Sequence, residues 1–291
     1  MGTPHLNPDK YRFIRALRPF SFSVALVTCG LGVTLAVSRG QVDLLKSILV
    51  ILAGILLQGA SNLANDHADL PFWKSRSGPL ADATVKKIRF NFLMAGVFTL
   101  VACVIGLWLV SEVGASLLIF GMSGIIAGYF YTGEPIHYKQ RGLGIPAVFL
   151  LTGVLMVSGA YYAVTSVWDN QVMWISIPVS LLASALLVSN EIRDYLDDKA
   201  ADIGTLTVRL GFDTARVMYA LLLWMVYPVS FYLFWQGQIN NPLYLLPSLL
   251  FIWQPLRLLF YGPGDMQLLR LPPLTGRFFL IFGIGFILSV L

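Results

Sequence analysis

The sequence predicts an all-α, polytopic membrane protein of about nine transmembrane helices. Three observations carry that reading. Of 291 residues, 57% are hydrophobic and only 12% are charged, about half the charge of a soluble domain. Mean hydropathy is +0.74, and a soluble globule with so much apolar side chain would expose aggregating patches. The apolar residues come in runs of about the 20 residues that a helix needs to cross the hydrocarbon core. These runs, such as Ser47 to Leu57 and Leu221 to Phe234, are apolar on every face, whereas a β-barrel strand alternates.

Taken in order, the expected spans are 20–38, 44–64, 90–110, 113–131, 145–165, 173–190, 217–236, 243–261 and 276–291. Basic Lys10, Arg12, Arg15 and Arg18 precede the first, which runs on without a small-residue cleavage signature and so reads as a span rather than a signal peptide. With the N-terminus placed in the cytoplasm, eighteen of the twenty Lys and Arg fall on the cytoplasmic side, leaving Arg39 and Lys46 outside. The positive-inside rule therefore predicts a cytoplasmic N-terminus and cytoplasmic long loops, and the expected location is a plasma (inner) membrane, with an organelle membrane left open. The net charge of +5 reads as topology signal and membrane-lipid attraction, not nucleic-acid binding. Cys29 and Cys103 sit inside apolar runs and supply neither a disulfide framework nor a metal-thiolate spacing.

Two cytoplasmic loops repeat a pattern. The second span ends Asn62-Leu63-Ala64-Asn65-Asp66-His67-Ala68-Asp69, and the sixth ends Asn190-Glu191-Ile192-Arg193-Asp194-Tyr195-Leu196-Asp197-Asp198, 128 residues later. The repeat predicts one domain over residues 1–291, built as two related four-helix halves, 20–131 and 145–261, with a ninth helix appended. On continuous helices, Asn62, Asp66 and Asp69, and likewise Asn190, Asp194 and Asp198, each share one face. Such hard-oxygen clusters suit Mg²⁺, which binds through one or two carboxylates plus substrate phosphates, so two facing clusters could hold a diphosphate. Carboxylates at membrane helix ends are costly and tend to mark function. Beside them, Tyr131 and Tyr138 read either as hydroxyls that orient a substrate or as interfacial anchors. His67 is expected to point away from Asp66.

Beyond these patterns, the chain resembles the UbiA superfamily of intramembrane prenyltransferases, most closely its 1,4-dihydroxy-2-naphthoate prenyltransferases of menaquinone synthesis. The resemblance lies in Arg15 to Phe22, in Asn62 to Asp69 followed by Gly78-Pro79-Leu80, in Tyr131 to Pro135 with Tyr138 and Arg141 to Gly144, in Gly159 to Tyr162, and above all in Asn190 to Asp198 continuing through Thr205 to Gly211. It implies a nine-helix fold and Mg²⁺-dependent transfer of a prenyl group from a polyprenyl diphosphate to an aromatic acceptor. The ligands it implies are Asp66, Asp69, Asp194 and Asp198. Asn62, Asn65, Asn190, Arg193, Lys139, Arg141, Tyr131 and Tyr138 are the substrate contacts it implies.

The sequence departs from the family pattern at four places: no acid follows Asp69 before Gly78, Ala81 stands where an Arg is common, Ile203 and Gly204 replace basic residues, and Ile145 replaces a Glu. These departures keep two further readings open. One is a catalytically weakened relative that serves as a binding or structural subunit beside a protein partner, the other a terpene cyclase. A transporter is disfavoured because no charge lies in the middle of a span.

Overall fold

The computed structural model describes residues 7–291, the Thr132 side chain excepted, and the described residues contain helices and turns with no strand. Each expected span is helical: α1 (Phe22–Ser38), α2 (Leu44–Asn65), α3 (Pro79–Val113), α4 (Leu117–Thr132), α5 (Gly144–Thr165), α6 (Ile177–Arg193), α7 (Phe212–Trp235), α8 (Leu246–Leu258) and α9 (Leu271–Val290). Six helical stretches are long and apolar enough to cross a membrane, namely Phe13–Ser38, Leu44–Lys74, Pro79–Val113, Gly144–Thr165, Phe212–Trp235 and Met266–Val290, so the chain is an integral membrane protein. The other three, α4, α6 and α8, have 16, 17 and 13 residues, short of the roughly 20 a straight span requires.

Helix α3 shows how the bundle meets its solvent. Ile88, Ala95, Ala102 and Leu109 recur every seven residues and are buried, while Leu93, Leu100 and Leu107 recur at the same interval on the outside. Both faces are apolar, because hydrocarbon replaces water around the bundle and polarity no longer separates inside from outside. What distinguishes the inner face is size, since small residues let backbones approach. A Cβ on Gly32 of α1 would lie 2.7 Å from the Cβ of Ala160 and 2.9 Å from the Tyr161 nitrogen on α5.

The most buried packing runs through α1, α5, α6, α7 and α9, where Leu31, Val157, Leu182, Tyr219, Phe278 and Phe282 belong to one cluster. Phe282 stacks on Phe286 at 5.9 Å, and the Tyr219 hydroxyl is hydrogen-bonded to that of Thr275 at 2.6 Å, so each of these two buried hydroxyls has a partner. Within α5, residues Phe149–Leu155 take a π-helical course, in which Gly153 passes so near α6 that a Cβ would lie 2.6 Å from Ser180 Cα. Prolines Pro228 and Pro255 interrupt the hydrogen-bond ladders of α7 and α8.

Arg39, following α1, pairs with Asp169, and Lys46 at the start of α2 pairs with Asp43 at 3.2 Å. The two basic residues left outside by the topology rule are thus both locally neutralised.

Candidate functional site

The acidic segments do not continue their helices, which corrects the expected geometry. Helix α2 ends at Asn65, and Asp66–Asp69 form a 3-10 turn. Its tighter winding of 3.0 residues per turn brings side chains three apart into line, so Asp69 follows the direction of Asp66 more closely than on a continued α-helix. The second segment breaks at Asp194, where the backbone leaves the helical region, and a new short helix, Tyr195–Ala200, carries Asp198. The breaks follow from the sequence: Asp and Asn compete for backbone partners, and Pro71 opens the next short helix, Leu70–Lys74.

Segment one is held from the N-terminus. The chain enters through a 3-10 turn, Pro8–Tyr11, capped by Asn7, whose side chain accepts from the Asp9 nitrogen at 2.9 Å. After one helical turn, Phe13–Ala16, Arg18 adopts a left-handed conformation with φ 50°. That turn aims its Nη2 at Asp66 Oδ1, 2.8 Å away. Asp66 is buried, and its second oxygen, Oδ2, has no hydrogen-bond partner among the described residues. Asp69 is half-buried. Its Oδ2 accepts from the Tyr11 hydroxyl at 2.9 Å and meets Lys10 Nζ at 2.8 Å. Trp73 Nε1 donates to the same Tyr11 oxygen at 3.0 Å, and Asn91 holds the Tyr11 carbonyl at 3.0 Å. Asn62 Nδ2 donates to the Leu17 carbonyl and to Ser21 Oγ, both at 2.7 Å, so it clamps the N-terminal segment to α2. Asn65 is exposed. The His67 ring lies 4.2 Å from that of Phe92, turned to α3.

Segment two carries its own counter-charges. Arg193 Nε and Nη2 grip Asp194 Oδ1 and Oδ2 at 2.7 and 2.6 Å, a bidentate pair. Asn190 Nδ2 caps the Leu186 carbonyl of its own helix at 2.9 Å. Burial raises the Asp198 carboxyl to about 6, with Lys139 opposing and Asp194, Glu191 and Asp197 reinforcing the shift. Buried Glu191 accepts from the Thr207 nitrogen through Oε2 at 3.0 Å and so receives the start of the short helix Leu206–Leu210.

The loop from Gly133 to Leu143 lies against segment two. Arg209 ties it down, donating from Nη2 to the Gln140 carbonyl and from Nε to the Gly204 carbonyl, both at 2.8 Å. Gly142 sits at φ +74° directly over Arg209, a conformation and a space that favour glycine. Arg141 is exposed and donates to the Pro135 carbonyl at 3.0 Å. Tyr138 donates to the Ala127 carbonyl and packs edge-on to Tyr131 at 5.3 Å. Burial pushes the Tyr138 hydroxyl up to about 12. A Cβ at Gly144 would stand 3.6 Å from Tyr131 Cε2 and 3.8 Å from Glu191 Oε1. The two acidic segments lie at the same end of the bundle, with Arg18 on the first and Tyr131 beside the second.

Among the described residues, no three His, Cys, Asp or Glu side chains stand close enough together to enclose a metal ion. The donor set is one that shares a cation with a ligand's oxygens, which fits Mg²⁺ and its habit of using one or two carboxylates with phosphate. A cation there would satisfy the buried Asp66 Oδ2, which has no partner among the described residues.

Arg18, Tyr11 and Arg209 act in this arrangement through contacts 48, 58 and 69 residues apart in the chain. The prolines before Tyr11 and after Arg18 were the available signal for Arg18 and Tyr11, since each starts a turn that aims its neighbour. Nothing local marks Arg209.

Fold and site together define an all-helical integral membrane protein whose paired acidic segments and flanking cations meet at one end of the bundle. The model of the UbiA prenyltransferase family matches residues 25–267, and the chain belongs to that family. It is a prenyltransferase by that membership. Among its relatives, UbiA prenyltransferase domain-containing protein 1 of Danio rerio is 30% identical over 94% of this chain and 83% of its own length. The 1,4-dihydroxy-2-naphthoate octaprenyltransferase of Escherichia coli strain K12 is 33% identical over 72% of each chain. In fold, the apo structure of a UbiA homolog from Aeropyrum pernix K1 superposes with a TM-score of 0.65 at 16% identity, covering 94% of this chain and 99% of that one. A UbiA homolog from Archaeoglobus fulgidus, solved bound to GPP and Mg²⁺, gives 0.60 at 16% identity with the same coverage.

Proposed function

We propose that this prenyltransferase moves a prenyl group from a polyprenyl diphosphate to an aromatic acceptor of the 1,4-dihydroxy-2-naphthoate type, and that the reaction depends on Mg²⁺. The observation that carries the reading is the shared position of the two acidic segments, with a buried carboxylate oxygen of Asp66 left without a partner. The acceptor class rests on the Escherichia coli relative.

Asp66, Asp69, Asp194 and Asp198 would hold Mg²⁺, which supplies charge neutralisation at the departing diphosphate. The remaining work falls to the chain. Arg18, Lys139 and Arg193 offer fixed positive charge to the diphosphate oxygens, with Arg141 at the rim. Lys10 and Tyr11 fix one oxygen of Asp69, leaving the other to face the site. Tyr131, beside Glu191 of the second segment, orients the donor or acceptor through its hydroxyl, and Tyr138 supports it edge-on. When the C–O bond breaks, the diphosphate keeps the electron pair and an allylic cation remains. The surrounding aromatic faces stabilise it by about 0.5–2 kcal/mol each, and the apolar bundle keeps water from it. Asn62 and Asn190 serve the scaffold here, since both amides are spent on backbone carbonyls.

The same reading sets the protein in a plasma (inner) membrane with the acidic end cytoplasmic, and takes the two segments as equivalent parts of two related halves. Replacing Asp66 or Asp194 by Ala should cut Mg²⁺-dependent transfer by about 10³-fold, roughly 4 kcal/mol of barrier, while the protein still inserts. Undiminished turnover in both variants refutes the assignment.

A further inference from the structure

A second feature lies outside the acidic site. Helices α7 and α8 diverge to leave a lateral groove of about 740 Å³, within the 300–1,000 Å³ range of small-molecule sites. From α7 it is lined by Asp213, Arg216, Val217, Ala220 and Trp224, a single helical stripe. The facing stripe on α8 contains Trp253, Leu256 and Arg257. Because the helices run in opposite directions, the start of α7 and the end of α8 coincide, and the charged residues collect at one mouth of the groove. Below them the walls are apolar, with Trp224 edge-on to Trp253 at 5.9 Å, and Ala220 supplies the room.

The mouth is asymmetric in charge. Arg216 is committed: it pairs with Asp213 and donates from Nη1 to the Leu259 carbonyl at 2.7 Å, closing the gap between the helices. Arg257 is exposed and makes no ion pair among the described residues. Asp213, Arg216 and Arg257 together leave one net positive charge above an apolar slot open to the side. That is the complement of an amphiphile with one negative charge at its head and hydrocarbon behind it.

We propose that this groove is a binding site for an anionic phospholipid, with its phosphodiester on Arg257 and an acyl chain laid along Trp224 and Trp253 in the space beside Ala220. The single net charge distinguishes this ligand from a polyprenyl diphosphate, whose head carries more than one negative charge and would be undercompensated here. Cationic mouths of this kind between membrane helices are suited to acidic lipid heads.

The test uses the full chain in detergent, titrated with phosphatidylglycerol and with phosphatidylcholine and read by native mass spectrometry. Phosphatidylglycerol should be retained about ten-fold more tightly, the value of one charge-assisted contact. R257Q, which removes an exposed side chain and no packing, should reduce that preference to about two-fold or less. A220F, which fills the slot, should weaken retention of both lipids. Equal retention by the unaltered protein overturns the proposal, as does an undiminished preference in R257Q. Farnesyl diphosphate displacing phosphatidylglycerol from the Arg257-dependent site also overturns it, in favour of a second donor site.

Discussion

Arg18 and Asp66, 48 residues apart in the chain, meet at 2.8 Å across the end of the bundle. The carboxylate is 3% exposed and the guanidinium 31%, so the pair costs more to break than a surface bridge. Arg18→Gln should lower stability by about 2 kcal/mol, less than the ~3–5 kcal/mol of a wholly buried pair because water reaches the arginine. If Asp66 is a cation ligand, saturating Mg²⁺ should restore part of that loss. Thermal unfolding with and without Mg²⁺ checks both, and an equal loss in the two conditions counts against a metal at Asp66.

Tyr11 joins two elements through one hydroxyl, donating to Asp69 and accepting from Trp73. Tyr11→Phe strands a buried indole N–H and frees the carboxylate. The expected cost is about 1–3 kcal/mol, with a several-fold rise in the Mg²⁺ concentration for half-maximal activity. The same rise must appear in direct Mn²⁺ titration if the effect acts through Asp69, and an unchanged Mn²⁺ affinity would confine Tyr11 to a structural part.

A pH dependence follows from Asp198. Its carboxyl is raised to about 6, chiefly by burial, above its ordinary value. The metal-free protein should therefore gain stability as pH falls through 6, because the folded state takes up a proton that the unfolded chain does not. Divalent-metal affinity should move oppositely and decline below pH 6, since the ligand must be ionised. Lys139 holds the carboxyl down, so Lys139→Ala should shift the decline to higher pH. Calorimetric Mg²⁺ titrations between pH 5 and 8 would show it, and a flat profile would contradict it.

Gly153 tests the packing beneath the site. A Cβ there meets α6 at 2.6 Å from Ser180 Cα, a backbone-borne atom that cannot step aside. Gly153→Ala should cost about 1–3 kcal/mol by overpacking, read as a lower unfolding midpoint. Gly106→Ala, where a Cβ meets nothing within 4 Å, should not lower the midpoint and should raise it slightly, since alanine favours a helix interior over glycine.

Much of this arrangement is legible in the sequence. Hydrophobic runs place a helix at each expected position to within a few residues, with α3 starting earlier than its run because Pro79 and polar Asp82 to Arg89 extend it beyond the apolar stretch. Asp66, Asp69, Asp194 and Asp198 stand out because charge at the end of an apolar run is rare. Their exact presentation does not: a count of i+4 and i+7 assumes an unbroken helix, and the 3-10 turn at Asp66 and the break at Asp194 depend on what the neighbouring carbonyls bond to. The partners of the acids were less visible still. Arg18 and Lys10 look like any membrane-flanking cations until the fold folds the N-terminus back on α2, and Arg209 becomes a clasp only once Gly142 and Gly204 lie against it.

The central claim is acceptor-dependent prenyl transfer. Its most direct test is to reconstitute the chain in lipid with Mg²⁺ and prenyl diphosphates of several lengths, with and without 1,4-dihydroxy-2-naphthoate, and to measure diphosphate release and products by mass spectrometry. The account predicts release that requires the acceptor and a prenylated ring as product. Release without acceptor would mark a cyclase or a hydrolase instead, and no release alongside a working Escherichia coli relative would contradict the account outright.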